Sequence, residues 1–228
     1  MNKIDITSDL NLRAKLLSAG FNGLNLVIDA ACGSGNWSYI LSGLNKNVIG
    51  FDNSAELIKT ARKNYSDTLN LNFICASLVN QPIKNLQADA IVCADSLMFA
   101  NPIITLNNFH NILKQNGIVY ISVNSIGWIP NVIINRGIKR MDRSKINMGI
   151  RIILDTLIRR LFNPNYKIQS TVYTLKDLKK IAERTGFEVV YAGYEGTYNN
   201  TAGNNYKALF DKTFLGLPQS LEFILKKL

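Results

Sequence analysis

Short apolar runs alternate with amphipathic stretches through the first 125 residues, with turn residues between them. Leu10, Leu12, Leu16 and Leu17 predict a short amphipathic helix over 10–20 that ends at Gly20. Residues 24–30 (Leu-Asn-Leu-Val-Ile-Asp-Ala) read as a buried strand running into a turn at Gly33 and Gly35. The spacing then predicts a helix over 36–44, a strand over 47–52 and a helix over 54–64. Glu56 lies in the first turn of that helix, and Lys59, Arg62 and Lys63 lie near its end, the order the helix dipole favours. Strands follow at 72–76 and 88–94, then a helix over 102–115 capped by Gly117, then a strand over 118–123 rich in β-branched residues.

Residues 126–170 break this rhythm. Within them Ile150, Ile153, Leu154, Leu157, Ile158 and Leu161 fall on one helical face, with Arg151, Arg159 and Arg160 off it. That face is expected to close on the core. The alternation then resumes. Thr174 and Asp177 form a capping-box variant for a helix ended by Gly186, and residues 187–191 are a sixth strand. The Asn/Gly-rich stretch 193–205 reads as loop, a helix is expected near 206–215, and a last strand over 221–226. Continuously apolar strands alternating with helices imply a parallel sheet covered on both faces. The expected architecture is therefore α/β and doubly wound, with a mostly parallel seven-stranded sheet. One domain spans 1–228, and 126–170 is an inserted helical lid.

Charge adds one feature to this picture. The chain carries a net +10, yet residues 126–170 hold nine Lys/Arg against two Asp, so most of the excess sits in the insertion. Cys32, Cys75 and Cys93 are odd in number and far apart, which speaks against a disulfide framework or a zinc site and for small buried thiols in a reducing compartment. The first residues lack a signal-peptide core, and no stretch approaches about 18 uncharged apolar residues. A cytoplasmic location is expected. The sequon at Asn199 carries no weight without secretion.

The chemistry concentrates at the first turn, Asp29 to Asn36. The first strand delivers the chain to the carboxyl edge of the sheet, where open α/β folds bind ligands. Gly33 and Gly35 remove Cβ atoms where the backbone turns and a ligand approaches. Asp29 sits where a carboxylate meets an ammonium group, and Asp52, ending the second strand, suits two ribose hydroxyls. A dinucleotide fingerprint would need a third glycine at position 38, which is serine.

These motifs resemble the class I S-adenosylmethionine-dependent methyltransferases, particularly the branch with many small-molecule and ubiquinone-type enzymes. The resemblance covers residues 24–125 closely and 170–228 more loosely. Ala31 stands where the family's first glycine would be, an alanine that fits if its φ is negative. Residues 88–97 are similar to the fourth motif, with Phe99 where many relatives carry histidine. Residues 113–117 are similar to the family's Leu-Lys-Pro-Gly-Gly turn without its proline. The resemblance implies S-adenosylmethionine as cofactor, held by Asp29, Ala31, Cys32, Gly33, Gly35, Asp52, Asn53, Ala76, Ser77 and Ala94. Ser77 replaces an adenine-contacting acid and would bond the adenine amine more weakly.

Methyl transfer from a sulfonium is an in-line displacement in which alignment contributes roughly 7–11 kcal/mol. A hydroxyl acceptor also needs a base; an amine needs less help. Asp95, just past the fourth strand, is the candidate base or acceptor-orienting group, or else a helix cap. Asp142, Tyr173 and Glu195 are further acceptor-side candidates beside ordinary structural readings. His110, the one histidine, is read as structural. Arg159 and Arg160 would meet acceptor phosphate, so a sugar or a nucleotide- or lipid-linked sugar suits the insertion. The insertion and tail resemble, in pattern, methyltransferases of bacterial surface-glycan clusters and hence polysaccharide biosynthesis. Three alternatives stay open: a tRNA methyltransferase using the basic segment, although Trp128, Phe162 and Tyr166 are sparse for a nucleic-acid platform; a non-catalytic S-adenosylmethionine-binding protein; and peripheral contact of the basic amphipathic helix with a membrane. The oligomeric state is not legible.

Overall fold

The computed structural model describes residues 6–80, 86–161, 171–198 and 213–228. The chain begins with α1 (Ile6–Ser18), then β1 (Val27–Ala30), α2 (Asn36–Ser42), β2 (Val48–Asp52), α3 (Ala55–Asn64), β3 (Leu71–Cys75) and β4 (Ala88–Ala94). After a 3₁₀ turn (Leu97–Phe99) come α4 (Pro102–Ile112) and β5 (Leu113–Asn124). The insertion holds α5 (Trp128–Asn131), a π-helical stretch (Val132–Ile138) and α6 (Arg143–Leu161). The chain closes with α7 (Leu175–Arg184), β6 (Phe187–Tyr194), the two-residue strands β7 (Thr213–Phe214) and β8 (Leu217–Pro218), and β9 (Ser220–Lys227).

Seven strands form one sheet in the order β3-β2-β1-β4-β5-β9-β6. Five are parallel; β9 runs antiparallel between β5 and β6. Period-2 alternation explains why both faces are covered. Ile28, Ile91, Val119 and Phe223 enter one buried cluster, and their chain neighbours Val27, Val92, Tyr120 and Ile224 enter the other. The expected seven-stranded, doubly wound sheet is what the chain forms. The capping box is also present: Thr174 Oγ1 accepts from Asp177 N at 3.2 Å, and Asp177 Oδ2 accepts from Thr174 N at 3.1 Å.

Four readings need correction. Gly117 does not cap α4. The helix stops at Ile112, Leu113 already pairs with Ala88, and Asn116 takes the left-handed turn at φ +63° inside an irregular start to β5. The helix expected near 206–215 does not extend over 213–215: Leu215 (φ +51°) and Gly216 (φ +74°) form the two-residue turn of the β7–β8 hairpin, whose geometry needs positive φ at both positions. Residues 206–212 and the sequon lie outside the described residues.

The third correction concerns α6. It packs through Gly149, Ile152 and Thr156, which are buried, while Ile150, Ile153, Leu154 and Leu157 are exposed. Gly149 decides this: a Cβ there would stand 2.3 Å from Ile133 Cγ1, so only that face approaches closely. Ile152 joins a small cluster with Ile129 and Val172, and Thr156 Oγ1 accepts from Val172 N at 3.3 Å. Fourth, Cys75 is exposed at the end of β3 rather than buried; Cys93 is buried and Cys32 half-buried.

Candidate functional site

β1 ends at the carboxyl edge of the sheet, and the chain turns there through three left-handed residues: Ala31 (φ +60°), Gly33 (φ +56°) and Gly35 (φ +89°). At Gly35 a Cβ would lie 2.7 Å from Phe73 Cζ, so crowding as well as φ demands glycine. At Gly33 nothing lies within 4 Å of that position; the missing side chain leaves open space. Ala31 has the opposite sign of φ from the one its side chain prefers, which costs roughly 1–2 kcal/mol. The turn is held in this shape by Cys32 N donating to Phe51 O at 2.9 Å and Gly35 N donating to Cys32 O at 3.0 Å.

Ala31 and Gly33 line a cavity of about 460 Å³, completed by Phe51, Asp52 and Asn53 at the end of β2, Ala76 to Val79 after β3, and Ser96, Phe99 and Ala100 after β4. Asp52 is 8% exposed. Its Oδ2 accepts from Gly33 N at 2.9 Å and its Oδ1 from Ser54 N at 2.9 Å. One carboxylate thus ties the glycine turn to the start of α3, and each oxygen keeps lone-pair capacity for a further donor. Ser77 Oγ already accepts from Val79 N at 3.3 Å and Asn80 N at 3.0 Å. Its remaining capacity is the hydroxyl proton, which suits a ring nitrogen; the expected bond from an amine has no lone pair to use. A larger depression of about 540 Å³ lies along α2, lined by Arg13, Tyr39 and Asp67, and holds no strand-terminal residue.

Asp29, Cys32, Gly35 and Ala94 are not among the residues that line this cavity. Asp29 is buried and accepts from Ser38 Oγ at 2.6 Å; burial pushes its carboxyl up to about 7 against that bond. Burial, with Asp29 and Asp52 nearby, also pushes the Cys32 thiol up, so it is no nucleophile at neutral pH.

A second polar cluster adjoins the cavity beyond β4. Asp95, next to the wall residue Ser96, holds φ +50°, a strained conformation for a non-glycine residue. Its amide donates to Ser122 O at 2.9 Å, and Ser122 Oγ donates to Asp95 Oδ1 at 3.1 Å. Burial first, then the carboxylate of Glu195, raises the Asp95 pKa. Glu195 is 2% exposed, paired with Lys15 from α1, and its Oε2 is buried with no hydrogen-bond partner among the described residues. Lys15 Nζ also lies 5.8 Å from the Trp37 ring centroid and 6.0 Å from that of Tyr120. Asp95 and Glu195 were both expected at the acceptor side, and the fold brings them together. Lys15 and Ser122 were not anticipated. Lys15 had a signal: Leu12, Lys15, Leu16 and Ala19 share one helical face, so a cation sits where the period asks for an apolar residue.

The other candidates disperse. Asp142 caps α6, accepting from Ser144 Oγ at 2.5 Å and from Ser144 N at 2.9 Å, and these Ser144 bonds hold its carboxyl below the usual range. Tyr173 is buried, its carbonyl accepting from Ser125 Oγ at 2.8 Å. His110 stands edge-on to Phe187 with ring centroids 5.5 Å apart, the structural role expected of it. The side chains of Arg159 and Arg160 lie outside the described residues.

Comparison with known proteins bears on this geometry. A sequence model of a methyltransferase domain matches residues 27–117, the segment from β1 into β5. No curated protein matches the chain. Among solved structures, an S-adenosylmethionine-dependent methyltransferase from Clostridium acetobutylicum is similar at 15% identity and TM-score 0.63, covering 99% of this chain and 93% of that one. Magnesium protoporphyrin IX methyltransferase from Synechocystis, with bound SAH, is similar at 15% identity and TM-score 0.61, covering 98% and 84%. The N-methyltransferase NodS of Bradyrhizobium japonicum is similar at 11% identity and TM-score 0.59, covering 100% and 99%. At such identities these likenesses speak for the fold.

Proposed function

We propose that this chain is a class I S-adenosylmethionine-dependent methyltransferase that methylates a hydroxyl or amine of a small acceptor, with Asp95 managing the acceptor's proton; the methyltransferase-domain match over residues 27–117 and the shared fold support this reading. The acceptor class we favour is a sugar or a nucleotide- or lipid-linked sugar, on the strength of the basic insertion, which follows β5 at the carboxyl edge of the sheet.

The residues present fit the cofactor. The open space at Gly33, the two-oxygen acceptor Asp52 and the free hydroxyl proton of Ser77 line one cavity, which suits an adenosine moiety. Asp29, buried behind the turn, would gain from a nearby ammonium group, because a cation favours its ionised form. When bound, the cofactor supplies a methyl group on a positively charged sulfur, already activated toward displacement. What remains for the chain is alignment and proton control.

Asp95 carries the reading. It is a strained, half-buried carboxylate at the same edge as the cavity, aimed by Ser122 and made more basic by desolvation and by Glu195. A carboxylate in that state can take the proton of an acceptor hydroxyl, or orient an amine that needs no deprotonation. Glu195, held by Lys15, keeps negative charge beside it. Lys15 keeps the pair from being an isolated buried anion.

The test is cofactor turnover followed by mass spectrometry, using nucleotide sugars, lipid-linked sugars and small-metabolite fractions as acceptors. A product heavier by one methylene identifies the acceptor. Tight calorimetric binding of S-adenosylmethionine with no methyl transfer across the panel returns the chain to a non-catalytic role. Methylation confined to tRNA replaces the sugar reading.

A further inference from the structure

The insertion after β5 presents to solvent what an amphipathic helix normally hides. α6 rests on the protein through Gly149, Ile152 and Thr156. On its outward side Ile150, Leu154 and Leu157 are 47%, 53% and 49% exposed. They follow one another at i, i+4 and i+7, one stripe along the helix. The turn that leads into α6 continues the stripe: Ile138 and Met141 are exposed, Met141 at 91%, among the exposed cations Lys139, Arg140 and Arg143. Exposed Arg151 borders the stripe farther along.

We propose that α6 and the turn before it dock on an anionic lipid surface. Two properties of one face point to this occupant. The outward side chains are aliphatic and contiguous, as insertion at the headgroup–acyl boundary requires, and cations frame them. The segment as a whole holds nine Lys/Arg against two Asp, and of those acids Asp142 is engaged in capping the helix. That charge complements phosphate headgroups. A second copy of the chain would bring an equally positive face against this one, so the charge disfavours it. A nucleic acid would want aromatic rings to stack bases, and the outward stripe has none. Among the described residues no helix is long and apolar enough to cross a membrane, so the contact is one in which the helix lies in the interface.

The insertion leaves the sheet from the end of β5 at Asn124, the same carboxyl edge that carries the cavity. Docking would therefore hold the site's side of the sheet near the lipid boundary. The inference goes beyond the acceptor reading and stands whichever acceptor is methylated.

The test is sedimentation of the full chain with phosphatidylcholine vesicles and with phosphatidylcholine–phosphatidylglycerol vesicles, without cofactor. Binding to the mixed vesicles about tenfold tighter than to neutral ones, weakened by salt, is the expected result. The double substitution Leu154→Glu with Leu157→Glu should abolish it while leaving the thermal midpoint and the calorimetric S-adenosylmethionine affinity unchanged. Arg140→Glu with Arg143→Glu should remove the preference for anionic vesicles. No sedimentation, or equal binding to both vesicle types, overturns the proposal. So does a wild-type dimer that the leucine variant dissociates in light scattering, or binding to bulk RNA with none to vesicles. The cofactor titration, read separately, shows whether the methyltransferase reading survives such a failure.

Discussion

The turn after β1 and the helix α6 both contain a run of residues whose period is plain, yet only one yields its surroundings. In the turn, Gly33 and Gly35 sit where the parallel sheet ends, and covalent geometry leaves few ways to continue. Asp52 then closes the arrangement by accepting the Gly33 amide. Along α6 the apolar stripe says which residues share a side, and nothing about what covers them. The buried side is set by Gly149 against Ile133, a close approach that hydropathy does not register. Backbone-limited sites are therefore readable, and packing-limited ones need the neighbour.

The sharpest way to break that contrast is at Gly33. Gly33→Val puts a branched side chain into the open space of the cavity and into a left-handed φ. Cofactor binding should be abolished in calorimetry while circular dichroism stays native. A variant that binds normally would mean the turn does not form the cavity's floor. No comparable loss is expected from Ile153→Ala in the insertion, which is exposed.

Next comes the strained carboxylate. Asp95→Asn keeps the shape and tolerates the positive φ, so fold and cofactor affinity should hold. If the acceptor is a hydroxyl, kcat should drop by about 10²- to 10⁴-fold. The wild type should lose activity as pH falls through the raised Asp95 pKa, because the protonated carboxyl cannot accept. That acidic limb should be missing in the variant. An unchanged kcat on the identified acceptor would hand the proton to solvent.

Much of this was legible without coordinates. Strands at 24–30, 47–52 and 88–94 announced themselves as apolar runs, and the acids at their ends marked the edge where the cavity opens. What was missed has a common cause. The sign of φ at Ala31, the choice of Asn116 over Gly117 for the left-handed turn and the contact beneath α6 depend on tertiary contacts. Lys15 was visible as a charge on an apolar face, but its partner lies 180 positions away in the sequence, where no local pattern reaches.

A third prediction separates stability from binding within the turn. Burial raises the Asp29 carboxyl from the ordinary 3.8 to about 7, so the folded state binds this proton more tightly than the unfolded chain. Stability from this group is full below pH 3.8 and is lost as pH rises through about 7. Between pH 5 and 8 the loss should be roughly 2.5 kcal/mol. Asp29→Asn should flatten that slope in thermal melts while weakening cofactor binding. A slope that persists in the variant assigns the titration elsewhere.

The smallest effect is at Ala31, and it tests whether the turn is strained for function. A left-handed alanine costs roughly 1–2 kcal/mol, and glycine would remove that cost while adding freedom to the unfolded chain. Ala31→Gly should therefore stabilise the fold by a net of about 0.5–1 kcal/mol, or about 2 °C in the thermal midpoint. Cofactor affinity separates two reasons for keeping alanine, because its methyl group lines the cavity wall. If affinity is unchanged, the strain serves nothing the site needs. If affinity falls while stability rises, the methyl is a contact surface maintained against the backbone's preference, and the turn is shaped for its ligand first and for the fold second.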